Sequence, residues 1–395
     1  MKKIFLAAAI GCLWSFGASA QSSATLYGLL DEGFQFNTNA KNVVKGVNVG
    51  GRQLTVDSIN GLNGSRWGFR GTEDLGDGLR AIFDIQGGIN LNTGAFAQGG
   101  TPFGRTTYVG LSSRTFGTVT FGRQYDLVVV YVQPVTSTGY IGGSTTFGHP
   151  VDVDNLVNTL RVNNSIRYSS PDFNGLSFGA EASLGGQPGN VTGGSGYSFG
   201  ATYAHGPVTI GAGFNFFKNP TGPTAGTGLF TGNVNGANSL SGVMNSNYVS
   251  ASSYQVAAVG GTYAIGPALV GLTYSNTQYG NVAALGGVSP KFNDIEAGLR
   301  WQFTSEFYAG LAYNYTTSRG VEVRGETVGD QHYHQVALLM DYFISKRTDV
   351  YFTAAVQKAS GTSSTGSAAV ANIGGLGDSS NDKQAVMRIA LRHKF

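Results

Sequence analysis

The sequence is short of charge, of cysteine and of long apolar runs, and each shortage excludes something. Asp, Glu, Lys and Arg make up 12% of the chain, about half of the roughly 25% typical of soluble domains. The only cysteine is Cys12, so no disulfide joins two parts of the chain and stability must come from architecture. After the first twenty residues no apolar stretch reaches the about 18 residues that a membrane helix needs. The formal net charge is +3, and two of the lysines sit in the leader described next. A nearly neutral remainder gives no argument for nucleic acid as a partner.

What is present begins with MKKIFLAAAIGCLWSFGASA, in which Lys2 and Lys3 precede an apolar run and Ala18, Ser19 and Ala20 follow it. This is the pattern of a secretory signal peptide over residues 1–20, cut before Gln21. Gly11-Cys12 offers a lipoprotein-type alternative, which would truncate the apolar run and bypass the small-residue site. The rest, 21–395, reads as one domain.

That domain carries most of the 61 glycines and repeats one unit, a segment of about ten residues with period-two alternation closed by turn residues. In NDIEAGLRWQF, Ile295, Ala297, Leu299, Trp301 and Phe303 share one parity while Asp294, Glu296, Arg300 and Gln302 share the other. In SRWGFRGTEDL, Trp67 and Phe69 oppose Arg66, Arg70, Thr72 and Asp74. Sixteen such segments can be counted: 24–36, 65–75, 78–90, 105–115, 117–126, 164–173, 176–185, 196–206, 208–219, 253–266, 268–279, 292–304, 307–318, 331–345, 347–360 and 382–395. Short connections such as LGDG, HGP and IGP alternate with long Gly/Ser/Asn-rich ones.

A low-charge exported chain that has no membrane helix, yet alternates apolar and charged faces, can cross lipid only as a closed β-barrel. The expectation is an all-β fold, a 16-stranded antiparallel transmembrane barrel with short periplasmic turns and long extracellular loops. Its apolar parity meets lipid and its charged parity meets water. The water-facing set includes Arg66, Arg70, Arg80, Arg167, Arg300, Arg388, Arg392 and Lys394, with Asp31, Asp74, Asp84, Asp294, Glu296 and Asp341. Each arginine could set ion preference or simply pair with an aspartate across the wall. The third long connection opens with LVVVYV and carries Tyr131, Tyr140 and Phe147, too apolar to stay in solvent, so it is expected to fold inward and narrow the lumen.

YGLLDEGF (27–34), SRWGFRGTEDLGDGLRA (65–81), YVGLSSRTFGTVTFGRQYD (108–126), NSIRYSSPDFNGLSFGA (164–180), SKRTDVY (345–351) and the terminal LRHKF together resemble the general diffusion porins of Gram-negative bacteria, especially the beta-proteobacterial branch. The resemblance implies a homotrimer in the outer membrane, in contact with its lipid and lipopolysaccharide. It implies passive passage of ions and small hydrophilic solutes, with neither cofactor nor metal. It further implies a constriction with a basic wall, which maps onto Arg66, Arg70, Arg123 and Arg161, facing an acidic third loop, which maps onto Asp126, Asp152 and Asp154. Terminal Phe395 would be the signal that the barrel-assembly machinery reads. The PEFGGD loop motif of enterobacterial relatives is absent and TTFGHPVD stands nearby, which leaves the acidic contacts and the ion preference open, with weak anion preference expected. Two residues misfit: alternation from Val119 and Phe121 aims Arg123 at lipid unless a bulge at Gly122 re-aims it, and Glu32 falls on the apolar parity of the first strand.

Other readings are weaker. A barrel enzyme would need an acid-base set, for which His332 and His334, two apart on one strand face, are the only pair, and no nucleophile motif accompanies them. A sugar-specific channel would want an aromatic track, whereas Tyr27, Tyr108, Tyr308 and Tyr351 are scattered. A plugged transporter would need a folded domain ahead of the first strand, and the expected cleavage site leaves almost no room for one.

Overall fold

The computed structural model describes residues 23–45, 47–143, 145–222, 228–230 and 244–395. The expected signal peptide lies outside them. The chain forms sixteen wall strands in sequence order. These are β1 (Ser23–Ala40), β2 in two pieces (Gly51–Asp57 and Arg66–Gly76), β3 (Leu79–Gly88), β4 (Thr106–Ser113), β5 (Gly117–Gln124), β6 (Val162–Ser169), β7 (Leu176–Ser183) and β8 (Gly196–His205). The second half comprises β9 (Val208–Lys218), β10 (Ala251–Ile265), β11 (Ala268–Val282), β12 (Lys291–Gln302), β13 (Phe307–Ser318), β14 (Gln331–Phe343), β15 (Thr348–Gly361) and β16 (Lys383–Lys394). Each pairs antiparallel with its chain neighbours, and β1 pairs with β16 from Leu29 opposite Lys394 to Asn37 opposite Val386. Gly28 and Phe395 exchange backbone hydrogen bonds of 3.0 and 3.1 Å at the seam. A closed sheet leaves no strand edge unpaired, which is what a backbone crossing hydrocarbon requires.

The parity read from sequence is the parity of the wall. On β16, Met387, Ile389 and Leu391 are 50–55% exposed on the outside, while Gln384, Val386, Arg388, Ala390 and Arg392 are buried on the inside. Leu26, Phe34, Leu272 and Ile295 belong to the same outer band, whose natural solvent is lipid. The sequence segments and the strands agree in number and order, with one addition. Gly51–Asp57 was expected to be loop, but it pairs with the upper half of β1, while Arg66–Gly76 pairs with the lower half.

Between the two pieces of β2 the chain leaves the wall. Ser65 N–H bonds the Ser58 carbonyl at 3.1 Å to close the excursion. Inside it, Leu62 N–H donates to Tyr351 Oη at 3.2 Å and Asn63 N–H to Asp31 Oδ2 at 3.3 Å. Gly61 is needed here, since a Cβ would come within 2.3 Å of the Asp31 carboxylate. Leu62 is thereby buried with Ile141 and Phe147 of the third long connection, so two inward elements share the lumen.

Candidate channel constriction

The third long connection, hereafter loop 3, runs from Tyr125 to Arg161 between β5 and β6. Asp126 caps its first helix, Leu127–Tyr131, by accepting from Val129 N–H at 3.0 Å. A 3-10 turn with Pro134 follows at Gln133–Val135, then a wide turn at Thr138–Gly142 that ends on left-handed Gly143. Leu127, Val128, Val132, Ile141 and Phe147 are fully buried, which is why this loop lies inside the barrel. The wall is prepared for it. Gly211 of β9 faces the lumen where a Cβ would stand 2.0 Å from the Tyr131 carbonyl oxygen, so the loop backbone touches the wall backbone there.

Basic side chains gather where loop 3 leaves β5. Arg161, itself 3% exposed, places its guanidinium 5.2 Å from the Tyr125 ring centre and donates to the Thr159 carbonyl at 2.8 Å. Half-buried Arg66 donates to the Gly64 carbonyl at 2.9 Å. Arg105, 7% exposed, donates to Gln86 Oε1 at 2.8 Å. Burial alone would raise the Tyr125 phenol, but Arg105, Arg161 and Arg66 together bring it down to about 7. Among the described residues neither Arg66 nor Arg105 has a carboxylate within salt-bridge distance. Arg105 was not among the expected site residues, because strict alternation ahead of β4 points it away from the lumen.

Other expected residues lie farther along the wall or at the edge of this cluster. Arg70 faces the lumen four residues along β2 from Arg66, about 14 Å at the usual strand rise, with its guanidinium 5.0 Å from the Tyr27 ring centre. Tyr27 in turn donates to Asp84 Oδ1 at 2.5 Å. Arg80 stands opposite Asp74 near the short-turn rim. Arg167 donates to the Tyr125 carbonyl and lies 3.9 Å from Glu181 Oε2. The β5–β6 register does shift beyond Gly122. Arg123 donates to the Gly104 carbonyl at 2.9 Å and to the Asn163 side chain, and its charge acts on both Arg161 and Tyr125.

The acidic lining needs correction. Asp126, Asp152 and Asp154 are 1%, 8% and 0% exposed, and each carboxylate is engaged within the fold. Asp126 holds Asn155 Nδ2 at 2.6 Å besides capping its helix. Asp152 accepts Val157 N–H at 2.8 Å and Thr159 N–H at 2.9 Å, while burial and the nearby Asp154 raise its pKa to about 6. Asp154 Oδ2 lies 2.6 Å from His149 Nδ1. Loop residues so apolar pull their own carboxylates inward to satisfy backbone N–H groups.

Arg388, expected as a lumen charge that either sets ion preference or pairs with an aspartate across the wall, is paired. Its Nη2 lies 2.9 Å from Asp31 Oδ1, its Nη1 2.9 Å from Asp57 Oδ1, and its Nε donates to Tyr351 Oη at 2.9 Å. Arg392 likewise meets Asp349 at 3.1 Å and Asp341 at 3.6 Å. The excursion in β2 brings Asp57 into this network, and nothing local in the sequence signals it. His332 and His334 sit on the outer face, His332 with Nδ1 2.9 Å from Thr317 Oγ1 and Nε2 3.3 Å from Asp330 Oδ1, His334 bonded to Tyr313 Oη at 2.7 Å and packed on Tyr315. Glu32, also on the outer parity, accepts from Asn92 Nδ2 at 3.4 Å.

Comparison with known proteins agrees with this architecture. The family model described as Gram-negative porin matches residues 6–362. An outer membrane porin protein of Bordetella pertussis is 30% identical over 376 residues, covering 89% of this chain and 93% of its own. Outer membrane porin protein 32 of Delftia acidovorans is 35% identical over 189 residues, 45% of this chain and 48% of its own. Among solved structures, the anion-selective porin from Comamonas acidovorans superposes with a TM-score of 0.70 at 22% identity, over 95% of this chain and all of its own. With a closed sixteen-strand wall, a lumen lined by polar groups and an inward loop already in place, these matches make the chain a member of the Gram-negative porin family, an outer-membrane channel for the passive diffusion of small solutes.

Proposed function

We propose that this channel is a non-selective pore for ions and small hydrophilic solutes with a weak preference for anions at low salt, working as a homotrimer and without a catalytic step. The observation that carries the preference is the gathering of Arg66, Arg105 and Arg161 about Tyr125, at the root of a loop whose own carboxylates are engaged within the fold. Two unit charges about 4 Å apart interact by roughly 1 kcal/mol in water, and by more where low-dielectric walls close in. Ions narrowing past this cluster therefore sense a positive field, which fades near 1 M salt as the Debye length shrinks to about 3 Å. The Comamonas relative named as anion-selective supports the same sign.

Planar bilayers test this reading. Purified protein should give step-like ohmic conductance in groups of three, with a reversal potential on the anion side at low salt. Silent bilayers together with hydrolysis of lipid or peptide would support an enzyme instead.

The ends of the chain have their own roles in this reading. The leader directs export and is cut before Gln21, so the mature protein should begin at that residue on N-terminal sequencing; retention of Lys2 and Lys3 would contradict it. Phe395, which closes the seam with Gly28, is the signal for the assembly machinery that inserts the barrel among lipid and lipopolysaccharide. Deleting it should lower outer-membrane yield while leaving conductance per assembled pore unchanged; a normal yield would remove that role.

A further inference from the structure

We propose that loop 3 and the barrel wall share a divalent-cation site built from His149, Asp154 and Asp294, with Ser275 beside it, which clamps the constriction loop in place. The candidate ligand atoms of His149, Asp154 and Asp294 all lie within 4.8 Å of one another, and all three residues are buried. His149 Nδ1 is 2.6 Å from Asp154 Oδ2 and 4.0 Å from Asp294 Oδ1. The Ser275 hydroxyl reaches the same space, 2.5 Å from Asp154 Oδ2 and 3.3 Å from Asp294 Oδ2. His149 and Asp154 belong to loop 3, whereas Asp294 is on β12 and Ser275 on β11. An ion held by this set therefore ties loop to wall.

An independent feature of the ring points to the same conclusion. His149 Nε2 is buried without a hydrogen-bond partner, in a side chain only 2% exposed. It is directed at Glu296 Oε2, 3.7 Å away, and Glu296 is itself fixed by Ser137 N–H at 2.6 Å. A metal-binding histidine characteristically aims its other ring nitrogen at a carboxylate, which fixes the tautomer and the ring plane. With a cation on Nδ1, the remaining proton sits on Nε2 facing Glu296.

Charge makes the same case. Asp154, Asp294 and Glu296 surround one imidazole, and among the described residues no lysine or arginine pairs with any of the three. Ionising all three buried carboxylates around one ring is costly without a further cation. One nitrogen with carboxylate and hydroxyl oxygens suits an ion of the zinc type better than calcium or magnesium, which favour all-oxygen shells. With metal bonds of about 2.0–2.2 Å, the 2.6 Å contact between Nδ1 and Asp154 would widen as the ion replaces the shared proton.

The test uses the purified, folded full-length trimer, stripped with chelator and titrated with zinc sulfate by calorimetry. In parallel, cobalt(II) is added and its visible absorption recorded. The expected result is one saturable site per chain in the wild type, with a cobalt spectrum of low-coordinate nitrogen and oxygen ligation. His149→Gln and Asp294→Asn should each weaken binding at least tenfold. A variant carrying both His332→Gln and His334→Gln should bind normally. Because the wild-type titration stands alone, poor folding of a variant does not obscure the outcome. No saturable site in the wild type overturns the proposal, as does a site lost in the His332/His334 variant but kept in His149→Gln. Binding is read without conduction, so failure here is separate from failure of the ion-preference reading.

Discussion

Two sides of the lumen carry arginines and treat them in opposite ways. On β16, Arg388 and Arg392 are buried among Asp31, Asp57, Asp341 and Asp349, so their charge is neutralised within the wall. Beside β5, Arg66 and Arg105 share their surroundings with Arg161 and a phenol, and no carboxylate pairs with either among the described residues. Facing the lumen is therefore not enough to make an arginine a pore charge. What matters is whether the fold brings a carboxylate to it, since a paired and buried charge projects little field.

The comparison is broken most severely on the β16 side. Arg388→Met would leave Asp31 and Asp57 facing each other without their cation, and removing one partner of a buried pair costs about 3–5 kcal/mol. The expected outcome is a large loss of assembled barrel and of its resistance to heat, read by heat-modified mobility on gels. The pores that do assemble should keep the wild-type reversal potential. A changed ion preference at normal stability would mean that Arg388 acts as a pore charge after all.

A smaller effect sharpens the other side. The Tyr125 phenol sits near pKa 7 because Arg105, Arg161 and Arg66 outweigh its burial. The phenolate is the form that gains population as pH rises, and each one formed cancels a unit of the local positive charge. Anion preference should therefore weaken as pH rises through about 7, and Tyr125→Phe should flatten that dependence. A pH-independent reversal potential in the wild type between about 6 and 8 would contradict the assignment.

The strands were legible in the sequence because lipid on one side and water on the other impose alternation on every crossing, and sixteen repetitions leave little room for another fold. Gly51–Asp57 was missed for a physical reason. It is short, and the excursion after it is held by Tyr351 and Asp31, partners far away in sequence or on another strand. The site was legible in part. Arg66 and Arg161, both named from the sequence, lie about Tyr125, but Arg105 enters from a loop end where alternation no longer governs direction. The burial of Asp126, Asp152 and Asp154 depends on how loop 3 folds on itself, and acidic residues in a loop sequence do not disclose which N–H groups will claim them. His149 was passed over for the more conspicuous His332 and His334, since Asp294 and Glu296 reach it only through barrel closure.

The central claim is that arginines without carboxylate partners beside β5 set the sign of the ion preference. It is tested most directly by the reversal potential of an Arg66→Gln/Arg105→Gln double variant under a low-salt potassium chloride gradient at about pH 6, where Tyr125 is protonated. The account predicts a shift toward cations relative to the wild type that diminishes as salt is raised. A reversal potential that stays at the wild-type value, in pores of normal conductance and stability, would contradict it.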